Sequence, residues 1–152
     1  MWLLSGWNNL GIVHQAIEEV GFYILNHCIW RYQFGVFTKK RFTTSHYHLL
    51  LLVKDVKDYV FNKPQHYAED VWSIKRPYNR GIRTAGNELP DKLVEKCVTT
   101  SSNKGDLVVD PVLGSGTTLK VCLRTIRRCI GIEINSALED RIKTKSKINN
   151  NG

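Results

Sequence analysis

The chain has 152 residues, with 22 Lys and Arg against 14 Asp and Glu, so its formal net charge is 22 − 14 = +8. Hydrophobic residues make up 42% of it, a share that excludes a wholly disordered or collagen-like protein and fits one domain or part of one. The positive charge raises the local concentration of polyanions and so favours nucleic acid as a partner.

Neither a membrane protein nor a secreted one is expected. The longest aliphatic run, residues 49–53, is far shorter than the roughly 20 residues of a membrane span, and the first residues lack the basic region of a signal peptide. The four cysteines show no Cys-x-x-Cys spacing, and the five histidines show no metal-ligand spacing. We therefore expect a cytoplasmic protein with reduced thiols and no metal site.

The amino-terminal part is predicted to form a strand, a helix and a strand. Residues 2–4 have the composition of a strand, and a helix begins near Asn9, an N-cap residue type, and ends at Gly21. Residues 22–30 are apolar on both alternations, which predicts a strand covered on both faces. Residues 46–54 predict a further strand. The apolar face of the helix consists of Leu10, Val13, Ile17 and Val20.

Residues 55–86 have no hydrophobic period, and two prolines interrupt them. We interpret this segment as a loop-rich insertion. Four of its cations, near its carboxyl end, are interleaved with aromatic residues, namely Lys75, Arg76, Arg80 and Arg83. Such a pattern can contact phosphates and unpaired bases, although an exposed basic loop with a packed tryptophan has the same composition.

The carboxyl-terminal part alternates helices and strands. A helix begins at Pro90, a strand covers residues 107–110, and a glycine turn leads into a second helix that reaches Ile126. A strand at residues 129–134 follows, and Asn135 caps a last helix. This order predicts parallel strands joined by right-handed crossovers, and hence an α/β fold. The apolar face of the first of these helices consists of Leu93, Val94, Cys97 and Val98.

The glycine turn lies where the strand at 107–110 passes into a helix. Residues 109–118 read Val-Asp-Pro-Val-Leu-Gly-Ser-Gly-Thr-Thr, so small residues and backbone N–H groups offer a surface that a ligand can approach closely. Glu133 follows Asp110 by 23 residues, at a strand end from which a carboxylate binds the two hydroxyls of a ribose. Alternatively, Gly114 and Gly116 serve only the turn.

Two phosphate-binding interpretations fit this turn less well. A Walker A loop requires Gly directly before Lys, whereas Leu119 precedes Lys120. Leu119 also occupies the place of the third small residue of a dinucleotide fingerprint. Asp110 would repel a pyrophosphate but suits a ligand with an ammonium group. S-adenosylmethionine, an adenosine with a zwitterionic amino-acid tail, therefore fits the two carboxylates better than NAD does.

Three segments resemble the amino-group DNA methyltransferases, which make N6-methyladenine or N4-methylcytosine, in the permuted order that places the cofactor motif last. Residues 104–118 (KGDLVVDPVLGSGTT) resemble their cofactor motif, and residues 130–135 (IGIEIN) resemble their ribose-binding strand. Residues 87–94 (NELPDKLV) resemble the helix over the methionine end of the cofactor, with Leu89 where many relatives have Lys.

This resemblance implies a Rossmann-like, S-adenosylmethionine-dependent methyltransferase fold, of which residues 1–152 are a single partial domain. It also implies that residues 87–147 bind S-adenosylmethionine and that residues 55–86 recognise double-stranded DNA. The cofactor-binding residues that it implies are Asn87, Leu89, Asp110, Pro111, Gly114, Ser115, Gly116, Thr117 and Glu133. The DNA-binding residues that it implies are Lys75, Arg76, Arg80 and Arg83.

The family's catalytic loop, Asp/Asn/Ser-Pro-Pro-aromatic, holds the exocyclic amine and stacks on a flipped base. This sequence has four prolines, no two of them adjacent, so it offers no catalytic residue of that kind. Residues 21–30 and 41–46 resemble the strands that follow the loop, with Tyr47 in place of the usual Glu. The resemblance implies a chain that begins after the loop and lacks the central strand of the fold. We expect a split or truncated gene product, or one whose start is assigned too late.

We therefore expect a site-specific DNA methyltransferase that transfers a methyl group from S-adenosylmethionine to adenine N6 or cytosine N4, with a second chain supplying the catalytic loop. The alternative is a non-catalytic remnant that binds cofactor or DNA. A third hypothesis, an NAD-dependent enzyme, requires cofactor binding that survives competition by S-adenosylhomocysteine.

Overall fold

The computed structural model describes residues 1–33, 35, 37–77 and 88–147. The chain forms two compact units. The first consists of Met1–Tyr59 and Lys63–Lys75, and the second of Val60–Asn62 and Arg76–Gly152. We call them the amino-terminal unit and the carboxyl-terminal unit. In the described part of the chain, no helix has the length and apolar character that crossing a membrane requires.

The amino-terminal unit is a four-stranded sheet with one helix. Its strand order is β1-β3-β2-β4, with β3 antiparallel to β1 and β2, and with β4 parallel to β2. The predicted strand, helix and strand, and the further strand at 46–54, are confirmed. The elements are β1 (Trp2–Ser5), α1 (Leu10–Glu19, after a 3₁₀ turn at Trp7–Asn9), β2 (Tyr23–Arg31), β3 (His46–Val53) and β4 (Val71–Ser73).

Helix α1 covers part of one face of this sheet with Leu10, Val13 and Ile17 of the predicted apolar stripe. The prediction is wrong for the fourth residue, Val20, which follows the last residue of the helix and is 60% exposed. Ile17 is buried against Leu50 and Leu52 of β3. Full burial of a side chain of this size contributes roughly 1.5–3 kcal/mol. The chain leaves the helix at Gly21, whose φ of 69° suits a residue without a Cβ, and the N–H of Phe22 there donates to the Ile17 carbonyl.

Strand β4 lies within residues 55–86, where the sequence predicts no regular element. Trp72 is buried and pairs in register with Trp30 of β2, which is fully buried. The indole N–H of Trp30 donates to the Ile74 carbonyl at 2.8 Å. A strand of three residues is too short to show a hydrophobic period in the sequence. We attribute the formation of β4 to the burial of Trp72 against the sheet.

The prediction that β2 is covered on both faces is wrong. Cys28 and Trp30 are buried, whereas Tyr23, His27 and Arg31 are exposed. The apolar alternation of this strand therefore reflects one covered face and a partly open one.

The carboxyl-terminal unit contains a two-stranded parallel sheet with helices. Its strands pair from Leu107 opposite Arg128 to Asp110 opposite Gly131, so the predicted α/β order with parallel strands is confirmed. Asn135 acts as the predicted cap, because its side chain accepts the Ala137 N–H at 3.1 Å. The elements are α2 (Asp91–Thr100), β5 (Leu107–Asp110), α3 (Thr117–Arg124), β6 (Arg128–Gly131) and α4 (Glu139–Ser146, after a 3₁₀ turn at Ser136–Leu138).

Strand β6 ends at Gly131, although the sequence predicts a strand up to residue 134. Its partner β5 ends at Asp110, and Leu113 then turns back over β6. A Cβ at position 131 would lie 2.6 Å from Cδ2 of Leu113. Beyond Gly131 the backbone that follows β6 therefore bonds to the turn after β5 and not to a regular strand, which the run of isoleucines does not reveal.

Helix α3 ends at Arg124, although the sequence predicts that it reaches Ile126. Ile126 has a left-handed φ of 61°. The Arg127 N–H donates to the Cys122 carbonyl at 2.8 Å, which is the hydrogen bond of a Schellman helix end. A β-branched residue such as Ile126 rarely adopts a left-handed conformation. The sequence therefore predicts that the helix continues through this position.

The core of the carboxyl-terminal unit lies between α2 and α3. Val94 and Val98, from the predicted apolar face of α2, pack against Val121 and Cys122 of α3. Burial raises the pKa of the Cys122 thiol to about 12, and the four cysteines are free thiols. Cys122 is therefore a core residue without thiolate character at neutral pH.

Four histidines lie close together in the amino-terminal unit, three of them on β2 and β3 and the fourth, His14, on α1. Nε2 of His27 and Nδ1 of His48 share a hydrogen bond of 2.8 Å. The ring of His46 lies 5.1 Å from that of His48, and the ring of His14 lies 6.3 Å from that of His27. Burial lowers the pKa of His48, and the charges of the other three lower it further. Nε2 of His48 is buried, without a hydrogen-bond partner among the described residues.

We expect the protein to lose stability as the pH falls through the ordinary histidine pKa of 6.5. Because the pKa of His48 is lower in the folded state, the unfolded chain binds the proton more readily, and the free energy of unfolding decreases below that pH. The urea midpoint should be lower at about pH 5.5 than at about pH 7.5, and His48→Gln should reduce the difference. His66 is exposed, so His66→Gln is the control. An unchanged pH dependence in His48→Gln would contradict the prediction.

Candidate functional site

The turn between β5 and α3 depends on two glycines. Gly114 has a φ of 58° and Gly116 a φ of 84°, which residues with a Cβ rarely adopt. A Cβ at position 116 would also lie 3.4 Å from the Cα of Ile142 in α4. Glycine at this position therefore lets the turn and α4 pack closely. We call residues 110–117 the glycine turn.

The carboxylate of Glu133 lies directly on the glycine turn. Its Oε2 accepts the Gly114 N–H at 2.7 Å, and its Oε1 accepts the Asn135 N–H at 2.8 Å. A carboxylate has about four lone-pair positions, so both oxygens keep acceptor capacity. The structure thus brings Glu133 and the glycine turn into direct contact.

Asp110 ends the neighbouring strand. Its Oδ1 accepts the Val112 N–H at 3.0 Å, which is the hydrogen bond of an Asx turn. Beyond the strands, the Ile132 N–H donates to the Asp110 carbonyl at 2.9 Å, and the Leu113 N–H donates to the Ile132 carbonyl at 2.8 Å. These bonds extend the pairing past the strand ends, so the carboxylates of Asp110 and Glu133 flank one turn.

A set of charged residues that the sequence analysis missed lies between α4 and the glycine turn. Lys145 donates to Ser115 Oγ at 3.0 Å and to Thr117 Oγ1 at 3.1 Å, and it pairs with Glu88. Arg141, one helical turn earlier, donates to the other oxygen of Glu88 at 3.2 Å. The side chains of Glu88 and Lys145 are 13% and 14% exposed. We call Glu88, Arg141 and Lys145 the charge cluster.

The carboxyl group of Glu88 is ionised at neutral pH. Burial by itself raises its pKa, but the hydrogen bond and charge of Lys145, with the charge of Arg141, outweigh burial and hold the pKa below its usual value. Nη1 of Arg141 is buried, and no described residue accepts its hydrogen. Two cations on one carboxylate therefore tie residue 88 and the glycine turn to α4.

The other predicted cofactor residues have different surroundings. The charge cluster occupies the hydroxyls of Ser115 and Thr117. Pro111 is exposed, and Leu89 packs beside the core between α2 and α3. Asn87 lies outside the described residues.

The predicted DNA-binding residues are described only in part. Lys75 is exposed, and Arg76 is half-buried. Arg80 and Arg83 lie outside the described residues. Their role in DNA binding stays a prediction.

Local sequence patterns carry only a weak signal for the charge cluster. Arg141 and Lys145 are four residues apart, a spacing that places them on one face of α4. Glu88 is 57 residues from Lys145 in sequence. Only the packing of α4 against the glycine turn brings the three together.

Comparison with known proteins identifies the family. A family model described as DNA methylase, of the N6/N4 type, matches residues 1–144, so the chain belongs to this family. It is 26% identical to the Type II methyltransferase M.HpaI of Haemophilus parainfluenzae, over 100% of the chain and 54% of that protein. It is 29% identical to the DNA adenine methyltransferase YhdJ of Escherichia coli (strain K12), over 90% of the chain and 56% of that protein. The chain thus spans about half the length of the curated relatives it matches.

Solved structures share the fold. The M1.HpyAVI–SAM complex is 25% identical with a TM-score of 0.82, over 97% of this chain and 74% of that one. The PvuII DNA methyltransferase, described as cytosine-N4-specific, has a TM-score of 0.78 at 19% identity, over 97% of this chain and 59% of that one. The predicted Rossmann-like methyltransferase fold is confirmed.

Replacing Lys145 by Met should destabilise the protein. The change removes the bonds to the two hydroxyls of the glycine turn and leaves the largely buried Glu88 with Arg141 alone, so we expect a loss of about 1–3 kcal/mol in the free energy of unfolding. Urea unfolding at neutral pH measures it. Lys143→Met on the same helix is the matched control, because Lys143 and its partner Glu139 are both 62% exposed and exposed pairs contribute little. Equal stability of the two variants would mean that the cluster does not hold the turn.

Proposed function

We propose that the glycine turn binds S-adenosylmethionine and that the chain forms the cofactor-binding part of a DNA amino-methyltransferase. The hydrogen bond between Gly114 and Glu133 supports this most directly, because it sets an acceptor carboxylate beside a turn that a ligand can approach. Ligands of open α/β sheets bind outside the carboxyl ends of the strands. M1.HpyAVI, which shares the fold, has been solved as a complex with SAM.

The residues around the turn fit the parts of that molecule. The ribose hydroxyls need acceptors, which Glu133 offers through the lone pairs that its backbone bonds leave. The ammonium group of the amino-acid tail needs an anion, and Asp110 provides one at the adjoining strand end. Glycine at positions 114 and 116 leaves the backbone open to close approach. A pyrophosphate would instead meet the negative charge of Asp110.

When bound, S-adenosylmethionine supplies a methyl group on a sulfonium, which an amine can attack directly. The residues of this chain bind the cofactor and orient it. Asp110 and Glu133 hold the tail and the ribose, while α4 and the charge cluster fix the backbone of the turn from the other side. Correct placement of two bound reactants removes a large entropic part of a reaction barrier.

We propose DNA as the methyl acceptor, at adenine N6 or cytosine N4. Membership of the DNA methylase family supports DNA. Matching relatives include an adenine methyltransferase and a cytosine-N4-specific one, so both bases stay in the proposal. In it, residues 55–86 recognise the target, and the cations Lys75, Arg76, Arg80 and Arg83 bind phosphates.

The amine-binding loop is proposed to come from a second chain. No two prolines of this sequence are adjacent, so it has no Pro-Pro-aromatic motif. Among the described strands, β5 pairs only with β6, and its other edge can accept a further strand. The missing motif equally favours a second candidate function, a remnant that binds cofactor or DNA without catalysis.

Uptake of S-adenosylmethionine should depend on both carboxylates. We expect Glu133→Gln to weaken binding about 10- to 100-fold in isothermal titration calorimetry, because the amide replaces one acceptor oxygen by an NH₂ donor and removes the charge from the other. Asp110→Asn should weaken S-adenosylmethionine binding and strengthen NAD binding, since it removes a negative charge. Glu139→Gln is the control, because Glu139 is exposed on α4. Absence of uptake by the folded wild-type chain, or a preference for NAD, would overturn the cofactor assignment.

Methyl transfer should appear when the missing motif is supplied. A polypeptide with an Asp-Pro-Pro-Tyr segment and its strand, added to the full chain, should give transfer of labelled methyl groups to duplex DNA. The same polypeptide with Ala in place of both prolines is the control. Cofactor binding without transfer in the mixture would favour the remnant.

A further inference from the structure

The connection between β2 and β3 has an exposed tip that is both basic and aromatic. We define the tip as residues 37–42, which read Phe-Thr-Lys-Lys-Arg-Phe. Phe42 is 99% exposed and Phe37 is 78% exposed. The three cations between them are exposed as well, namely Lys39, Lys40 and Arg41.

The tip is carried by an anchored hairpin. The Tyr32 N–H donates to the Ser45 carbonyl at 2.9 Å, and the Tyr32 hydroxyl donates to the Thr44 carbonyl at 3.3 Å. Tyr32 itself is buried. At the tip, the Thr38 hydroxyl donates to the Arg41 carbonyl. The exposed rings and cations therefore stand on a fixed base.

The tip lies in a stretch of sequence that carries positive charge and no carboxylate. Between Glu19 and Asp55 the sequence has no carboxylate, but it has five Lys and Arg and three His. None of the ion pairs formed within the described ranges involves the cations of the tip. A run of three such cations raises the local concentration of polyanions.

We propose that the tip is a DNA-contacting element, with Lys39, Lys40 and Arg41 on backbone phosphates and Phe42 against a base. The identity of the polyanion rests on the proposed function, and the contact lies outside the segment 55–86 to which target recognition is assigned. Phosphate contacts supply affinity for any sequence. An apolar ring beside them can enter between base steps or stack on an unpaired base. Both actions serve an enzyme whose target base must leave the duplex.

The same chemistry also fits an anionic lipid surface, where aromatic rings insert beside basic residues. Membership of the DNA methylase family favours DNA. The experiment therefore includes vesicles of phosphatidylcholine and phosphatidylserine as a separate arm.

Fluorescence anisotropy with the full chain tests the proposal on two labelled duplexes of about 20 base pairs, one fully paired and one with a central mismatch. Replacing Lys39, Lys40 and Arg41 by Ala should weaken binding to both. It should also reduce the slope of log affinity against log salt by about 2–3, since each phosphate contact contributes about 0.9. Phe42→Ala should weaken binding to the mismatched duplex about 5- to 100-fold and leave the salt slope unchanged.

Matched variants outside the tip separate a local contact from the effect of net charge. Replacing Lys54, Lys143 and Lys147 by Ala removes three exposed cations outside the tip and outside the cofactor motifs, and Trp7→Ala removes a ring that is 58% exposed. Both control variants should bind DNA as the wild type does. Calorimetry with S-adenosylmethionine, run on the same variants, should show unchanged uptake.

The outcomes distinguish this proposal from the proposed function. Cofactor uptake with DNA binding that is insensitive to the tip overturns the proposal alone. No binding of DNA by the wild type, or tip-dependent binding of vesicles only, overturns it too. Tip-dependent DNA binding without cofactor uptake supports it and counts against the cofactor assignment instead.

Discussion

The hydrogen bond from the Gly114 N–H to the Glu133 carboxylate is the contact on which the candidate site depends. It exists because β5 and β6 are parallel neighbours, so their carboxyl ends and the residues after them meet. It also needs the left-handed backbone of Gly114, which points the N–H at the next strand end. A hydrogen bond to a charged acceptor contributes about 1.5–3 kcal/mol, enough to hold the turn in one conformation before any ligand arrives.

The opposite side of the glycine turn is held by charge and by close packing. Lys145 joins the hydroxyls of Ser115 and Thr117 to Glu88, while Ile142 fills the space that a side chain at Gly116 would need. These side chains are largely buried, so their hydrogen bonds compete little with water. The turn is thus fixed by a carboxylate at one end and an ammonium group at the other, and the proposed function uses it as a preorganised ligand surface.

In the proposed function, one unit binds the cofactor and the other contacts DNA. The carboxyl-terminal unit carries the paired carboxylates and the glycine turn, which suit a cationic nucleoside. The amino-terminal unit carries a sheet with a long stretch free of acidic residues and a basic, aromatic tip at residues 37–42, which suit a polyanion. A DNA methyltransferase needs both surfaces, and a chain that spans about half of its curated relatives can hold both without holding the amine-binding loop.

The sequence by itself determined the α/β order, the helix faces of α1 and α2, the glycine turn and its partner Glu133, because each depends on residues close in sequence or on strand adjacency. It did not determine β4, the early end of α3 at Arg124, or the charge cluster. Strand β4 forms because Trp72 is buried against a distant strand, and Glu88 meets Lys145 only because α4 packs on the turn. These two contacts join residues far apart in the chain, so only the tertiary structure decided them. The end of α3 is local, but it places Ile126 in a left-handed conformation that its residue type disfavours and in which its carbonyl accepts the distant Gly105 N–H.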